Sequence, residues 1–465
     1  MSVGLLVLLH HIASSTPTPP PTPPPAPFVV PSISGKMQRD LDPGGWLESV
    51  WVCVGFSVTT LVVAFFGLAR PLFGGAWRGT NSPRHRWRIL TAGLLSLVLL
   101  ATSVAAGINT SVGYVRGLHD LKNHLFPDKV AALANGARPA TTPDPHAKTP
   151  PTLAAKPGAH STPTPAVGVT PATVPVTPLV AAADPLPASE IVQIPLHAPE
   201  YGLPDAPAYV YLPKGYASTG PEWPLLLLIP AAPGSTDDWL HPGNVDKAMD
   251  NLVSRKIVKP YVIVIPTVNP SFLVDHECLD AIQGGPRVET YLIDVVMPAL
   301  QDQLNISRDA HQHAIGGFSA GADCALNVGL HHLDVFSAIG AMDPEGGPGT
   351  KASHRYLGDS PDLIAQNSPR DYVRSMTFGH PLVVYLNGAG TLGVEHTDLL
   401  QHELEARGVY VYRHDEKGLG HNWRDARFDE PWMLSFFSAA FNAPPPPVAT
   451  GAPIPEPGAT PTPSG

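Results

Sequence analysis

The stretch His313-Ala314-Ile315-Gly316-Gly317-Phe318-Ser319-Ala320-Gly321-Ala322 is an apolar run that ends in Gly-x-Ser-x-Gly. It reads as a strand that passes through a sharp turn into a helix, with the serine raised on the turn above the strand end. Gly317 and Gly321 flank the turn where strand and helix come too close for a Cβ to fit easily. Ser319 is therefore the candidate nucleophile. The backbone N–H of Ala320, at the helix start, would point at a developing oxyanion. Three fixed positions in a chain of 465 residues are a weak signal, so the surrounding sequence has to carry the reading.

Around this stretch the pattern alternates. Ala208–Pro213, Leu225–Ile229, Tyr261–Ile265, His313–Gly317, Phe336–Ala341, Leu382–Leu386 and Val409–Tyr412 read as strands, several of them apolar throughout as in a sheet buried on both faces. Helical spacing falls between them at Val245–Leu252, Glu289–Leu300, Ala320–His331 and Leu399–Arg407. The class is α/β, a mostly parallel sheet with helices on both faces, and ligands in such sheets bind beyond the carboxyl ends of the strands. The serine turn points to the same end.

A serine hydroxyl needs a base within hydrogen-bond reach, and the base needs an orienting acid. After the last strand comes Glu416-Lys417-Gly418-Leu419-Gly420-His421-Asn422-Trp423, a glycine-bearing loop that makes His421 the candidate base. Past Leu382–Leu386 two carboxylates are available as the acid. Glu395 is preferred because it stands nearer the strand end, and Asp398 is the alternative, although it could equally be the N-cap of a helix from Leu399. Asp343, after Phe336–Ala341, is a weaker third candidate that is expected to line the substrate cleft, together with Trp239 and Trp423. The loop Pro230–Trp239 closes a strand end, and its Ala231 and Ala232 are the candidates for the second oxyanion donor. This chemistry requires neither a metal nor an organic cofactor.

The 56 prolines cluster in three places. Thr16–Pro27, Ala137–Pro187 and Ala443–Gly465 lack the apolar content to offset chain entropy and read as extended linkers and a disordered tail. The division that follows is an apolar and Pro-rich segment at 1–45, a membrane block at 46–108, a juxtamembrane segment at 109–136, a linker at 137–187, the α/β domain at 188–442 and the tail at 443–465. In the membrane block, residues 46–68 and 89–108 are long and apolar enough to span about 30 Å of hydrocarbon as two helices. The loop between them carries Arg70, Arg78, Arg84, Arg86 and Arg88 and no acid, which places it in the cytoplasm by the positive-inside rule. A multi-pass hairpin in the cell membrane then leaves the α/β domain extracytoplasmic, where Cys278 and Cys324, whose spacing fits no metal site, are candidates for a disulfide. The opening run Ser2–Ser14 is apolar but interrupted by His10 and His11, and it is too short to be read as a span. A formal net charge of −10, with no basic stripe in the α/β domain, argues against nucleic acid as a partner.

The ordered motifs Tyr209-Val210-Tyr211-Leu212-Pro213, Leu225–Trp239, His276-Glu277-Cys278, Glu289-Thr290-Tyr291-Leu292, Gly317–Gly321 and Gly420-His421-Asn422-Trp423 resemble the esterase family of α/β-hydrolases that includes esterase D and the antigen 85 type mycolyltransferases. With the membrane hairpin and Ile108–Tyr114, the chain is similar to membrane-attached actinobacterial members. The resemblance implies an α/β-hydrolase fold and a serine hydrolase or acyltransferase, with Ser319, Glu395 and His421 as the triad and Ala320 with the Ala231/Ala232 loop as the oxyanion hole. The implied substrates are carboxylic esters, with envelope lipids or glycolipids favoured by an extracytoplasmic site at a lipid bilayer. One departure stands out: where the family has His-Gly after the Leu225–Ile229 strand, this chain has Pro230-Ala231, and proline brings no N–H. The rival expectation is a catalytically weak hydrolase-fold module that binds or organises the cell envelope.

Overall fold

Leu225–Ile229 (β3) shows how the sheet is built. Its side chains alternate between two hydrophobic cores, Leu225, Leu227 and Ile229 on one face and Leu226 and Leu228 on the other, and all five are fully buried. A strand of period two with apolar residues in both registers has to be covered on both sides. The structure, a computed structural model, describes residues 23–41, 44–69, 83–125, 131–132, 184–269, 274–388, 394–416 and 418–453. The opening apolar run, most of the arginine-rich loop, the linker up to residue 183 and the tail beyond 453 lie outside these.

The remaining main strands are Glu190–Leu196 (β1), Ala206–Leu212 (β2), Val262–Ile265 (β4), His313–Phe318 (β5), Ala338–Met342 (β6), Val383–Asn387 (β7) and Tyr410–Arg413 (β8). Their order is β1-β2-β4-β3-β5-β6-β7-β8, and a two-residue strand, Ala131–Ala132, pairs beside β1 at the edge. Strand β2 runs antiparallel to both neighbours, and β4, β3, β5, β6, β7 and β8 are all parallel. With the serine turn after β5, this is the α/β-hydrolase fold. The helices Met297–Gln303, Ala320–His331 and Val394–Ala406 cover one face, and Val245–Ser254 and Trp423–Asn442 cover the other.

Two antiparallel apolar helices precede the domain: Val50–Ala64, continued by a π turn at Phe65–Ala69, and Pro83–Val112. Small polar side chains line their contact, with Ser57 Oγ 2.5 Å from Ser103 Oγ and Cys53 Sγ against the Ser103 carbonyl. Their large apolar side chains face outward; Leu61 is 69% exposed and Leu94 is 64% exposed. Val50–Ala69 and Trp87–Val112 are long and apolar enough to cross a membrane. The first helix starts at Val50, because Trp46–Glu48 forms a separate 3-10 turn and Ser49 caps the helix by accepting from Trp51 N–H.

Around the core, one docking was not foreseen and two expectations are corrected. Within 1–45, Phe28 packs on Tyr410 and Phe436 while Ile33 and Leu41 are buried, so this part docks on the domain. The first part of the proline-rich tail docks as well: Arg407 Nε donates to the Gly451 carbonyl and Gly451 N–H donates back to the Arg407 carbonyl. The helix expected from Leu399 begins at Val394, so Asp398 sits inside it and does not cap it.

Candidate active site

The parallel sheet places the site through register. Phe318 at the end of β5 pairs with Met342 at the end of β6, so the next residues, Ser319 and Asp343, leave adjacent strands at the same level. Both turn through positive φ, +58° at Ser319 and +54° at Asp343, a conformation held by bonds on either side. Ser319 N–H donates to the Met342 carbonyl, and Asp343 N–H donates to the Asn387 carbonyl. Gly317 makes the turn possible, since a Cβ there would lie 2.1 Å from the Gly321 carbonyl oxygen.

His421 arrives from the other side, ahead of the helix Trp423–Asn442. Its loop is pinned by Asp425, whose Oδ2 accepts from Gly420 N–H at 2.6 Å, and Asn422 caps the helix by accepting from Asp425 N–H. The imidazole then bridges the two strand ends. Ser319 Oγ is 2.7 Å from Nε2, and Nδ1 donates to Asp343 Oδ2 at 2.5 Å. Burial pulls the imidazolium down, but the bond to Asp343 and the carboxylate charge outweigh it, so the pKa of His421 lies above its ordinary value.

The geometry therefore brings together two of the three expected residues and replaces the third. Neither Glu395 nor Asp398 holds His421. Glu395 is exposed at the start of Val394–Ala406, and Asp398 pairs with Arg413 at 3.1 Å. Asp343, expected to line the cleft, is the carboxylate on the imidazole because β6 adjoins β5, whereas β7 is one strand further away. The two tryptophans are also corrected. Trp239 and Trp423 are 0% and 4% exposed; Trp423 meets both Trp239 and Phe318 edge to face, and the Phe318 ring lies 5.1 Å from the His421 ring. Phe318 is the ring beside the imidazole, and the two indoles are packed behind it as a buried floor and do not line the cleft.

The expected oxyanion donors lie close to this array. As the first residue of its helix, Ala320 has no intrahelical acceptor for its N–H. The β3 loop presses on the same turn, since a Cβ on Gly321 would meet the Ile229 oxygen at 2.5 Å and the Pro230 oxygen at 2.8 Å. This brings Ala231, 4% exposed, to the edge of the serine turn. Its carbonyl accepts from Asn269 Nδ2 at 3.1 Å, which helps to set the loop.

Cys278 and Cys324 form a disulfide that ties the His276–Cys278 loop to the helix behind Ser319. Sequence reasoning missed what this loop does. Both Glu277 oxygens accept from Gly349 N–H, and Asp323, one turn after Ser319, accepts from Glu345 and Gly346 N–H. A half-buried acid, Glu277, and a buried one, Asp323, therefore brace the segment that follows Asp343. Burial first, then the nearby Asp275 charge, pushes Glu277 up to about 8, and burial pushes Asp323 up to about 7.

Residues 204–373, which include Ser319 and Asp343, match a family model described as "Putative esterase". An uncharacterized protein of Corynebacterium glutamicum is 27% identical over 191 residues, a match that takes in 39% of this chain and 44% of that protein. The chain thus spans less than half the length of that curated relative. Among solved structures, the chain is similar to a ferulic acid esterase (21% identity, TM-score 0.46), covering 54% of this chain and 99% of that one. It is similar also to an S-formylglutathione hydrolase from Agrobacterium tumefaciens (13% identity, TM-score 0.46), covering 55% and 95%. Through residues 204–373, the α/β-hydrolase domain of this chain is similar to that esterase family.

Proposed function

We propose that the chain is a membrane-anchored serine esterase or acyltransferase that processes carboxylic esters through an acyl-enzyme on Ser319. The observation that carries this reading is the unbroken relay Ser319 Oγ, His421 and Asp343 across two adjacent strand ends. In the reaction, His421 Nε2 takes the Ser319 proton as Oγ attacks the ester carbonyl. The oxyanion is held by the N–H groups of Ala320 and of the Ala231 loop, and the protonated imidazole then gives its proton to the leaving alcohol. Water, or an acceptor hydroxyl activated by the same imidazole, resolves the acyl-enzyme. Asp343 keeps the proton on Nδ1 and offsets the charge of the imidazolium.

An extracytoplasmic, membrane-held position is supported by the outward apolar surface of the hairpin, by the arginines between its two apolar spans and by the disulfide, which suits an oxidising compartment. Esters of envelope lipids or glycolipids fit that position.

The test is hydrolysis of p-nitrophenyl esters of graded chain length by the full chain in detergent, beside Ser319→Ala, with labelling by a fluorophosphonate probe. Turnover and labelling that vanish together in the variant support the reading, and a preference for long chains supports lipid substrates. A folded wild type that neither turns over nor labels would overturn it in favour of a binding module.

A further inference from the structure

The two ends of the hairpin that face the domain meet it at one buried point, and that point lies between the loop after β3 and the helix that follows His421. Arg427, 3% exposed, donates from Nη1 to the carbonyls of Gly113 at 2.9 Å and Pro242 at 2.6 Å, and from Nη2 to Glu48 Oε1 at 2.5 Å. Gly113 follows directly on the second apolar helix. It sits at φ +67°, and a Cβ on it would stand 2.6 Å from Arg424 N, so backbone meets backbone here. Arg116 Nη2 adds a bond to Asn244 Oδ1.

One residue further, Tyr114 O–H donates to Asp238 Oδ1 at 2.6 Å. Asp238 is fully buried and is the knot of the loop Pro230–Trp239: Oδ2 accepts from Ser235 N–H and Oδ1 accepts from Ser235 Oγ. Gly234 lies so close that a Cβ on it would meet both Asp238 Oδ2 and the Ala231 oxygen. The carboxylate that accepts the Tyr114 hydrogen bond therefore shapes the backbone turn that presents Ala231 to the serine turn. Burial and the adjacent Asp238 charge keep Tyr114 protonated, a donor at every ordinary pH.

We propose that the membrane hairpin is part of the catalytic apparatus as well as its anchor: Tyr114 is a positioning residue that acts through Asp238 on the oxyanion loop. The proposal rests on the esterase reading above. Deleting the hydroxyl leaves a buried carboxylate short of a donor, and the loop shifts to find another. A displacement of about 1 Å at an oxyanion donor costs up to a hundredfold in rate.

The experiment uses the full chain in detergent with p-nitrophenyl acetate. Loss of wild-type turnover in Ser319→Ala secures the esterase reading independently, and failure at that step overturns both ideas. Against that background, Tyr114→Phe is expected to lower kcat about tenfold or more, to leave KM within about twofold, and to leave the acid limb of the pH profile in place, since His421 and Asp343 are untouched. Ser235→Ala, which removes a second donor to the same carboxylate, is expected to combine non-additively with it. Wild-type kcat in Tyr114→Phe overturns the proposal. A shifted acid limb overturns it too, as does a Tyr114→Phe chain that unfolds at assay temperature, because the role would then be one of stability.

Discussion

Asp343 Oδ2 lies 2.5 Å from His421 Nδ1, on the strand end next to that of Ser319. This relationship picks out the carboxylate that the sequence places third, behind Glu395 and Asp398. Asp343→Asn should lower kcat about 10³- to 10⁴-fold through loss of the orienting charge and of the correct tautomer. Glu395→Gln should stay within about twofold. Steady-state kinetics on one short-chain ester checks both.

The same contact fixes a pH dependence. A base has to be neutral to act, and Asp343 holds the His421 pKa above the ordinary value of about 6.5. Activity should therefore rise with pH through an apparent pKa above that value in kcat/KM. Asp343→Asn should move this limb to lower pH while it lowers the plateau. The pH–rate profile of the two chains is the measurement.

Gly317 faces backbone where a side chain would go, with the Gly321 oxygen 2.1 Å from its ideal Cβ. Backbone cannot turn aside as a flexible side chain can. Gly317→Ala should cost about 1–3 kcal/mol of stability by overpacking, together with most of the activity. Chemical denaturation beside an activity assay separates the two losses.

The disulfide Cys278–Cys324 closes a loop of 46 residues around the braces behind Asp343. Loop-closure entropy puts its contribution at about 2–4 kcal/mol. Cys324→Ser should lower the unfolding free energy by that amount, read from denaturant midpoints at constant slope.

Glu277 and Asp323 bind protons more tightly in the folded chain than in the unfolded chain, with pKa values raised to about 8 and about 7. The folded state then carries more protons between pH ~4 and 8, and stability falls as pH rises through that window. Glu277→Gln keeps an acceptor for Gly349 N–H and should flatten part of this slope. Thermal melts from pH 5 to pH 8 give the comparison.

Ser319 and His421 were legible because their signals are local: an apolar run into a glycine-flanked serine, and a histidine in a glycine-bearing loop after the last strand. The acid was not, because the choice between Asp343 and Glu395 depends on which strand adjoins β5, and adjacency is non-local. Trp239 and Trp423 misled for a related reason. Aromatics near active residues in sequence read as cleft walls, whereas packing of Phe318 and both indoles turns them into a floor. Strand β1 and the helix Trp423–Asn442 went unread, and the docking of Phe28 and Ile33 was hidden by the proline-rich composition around them.

Gly113, Tyr114 and Arg116 already hold the domain, and they precede residues 133–183 in the chain. On the reading proposed above, in which the hairpin lies in a bilayer, the length of the proline-rich stretch therefore does not set how far the site reaches from it. On that reading the height of the site above the membrane is fixed by side chains, as on a bracket, and the esters open to attack are those that lie within that fixed reach.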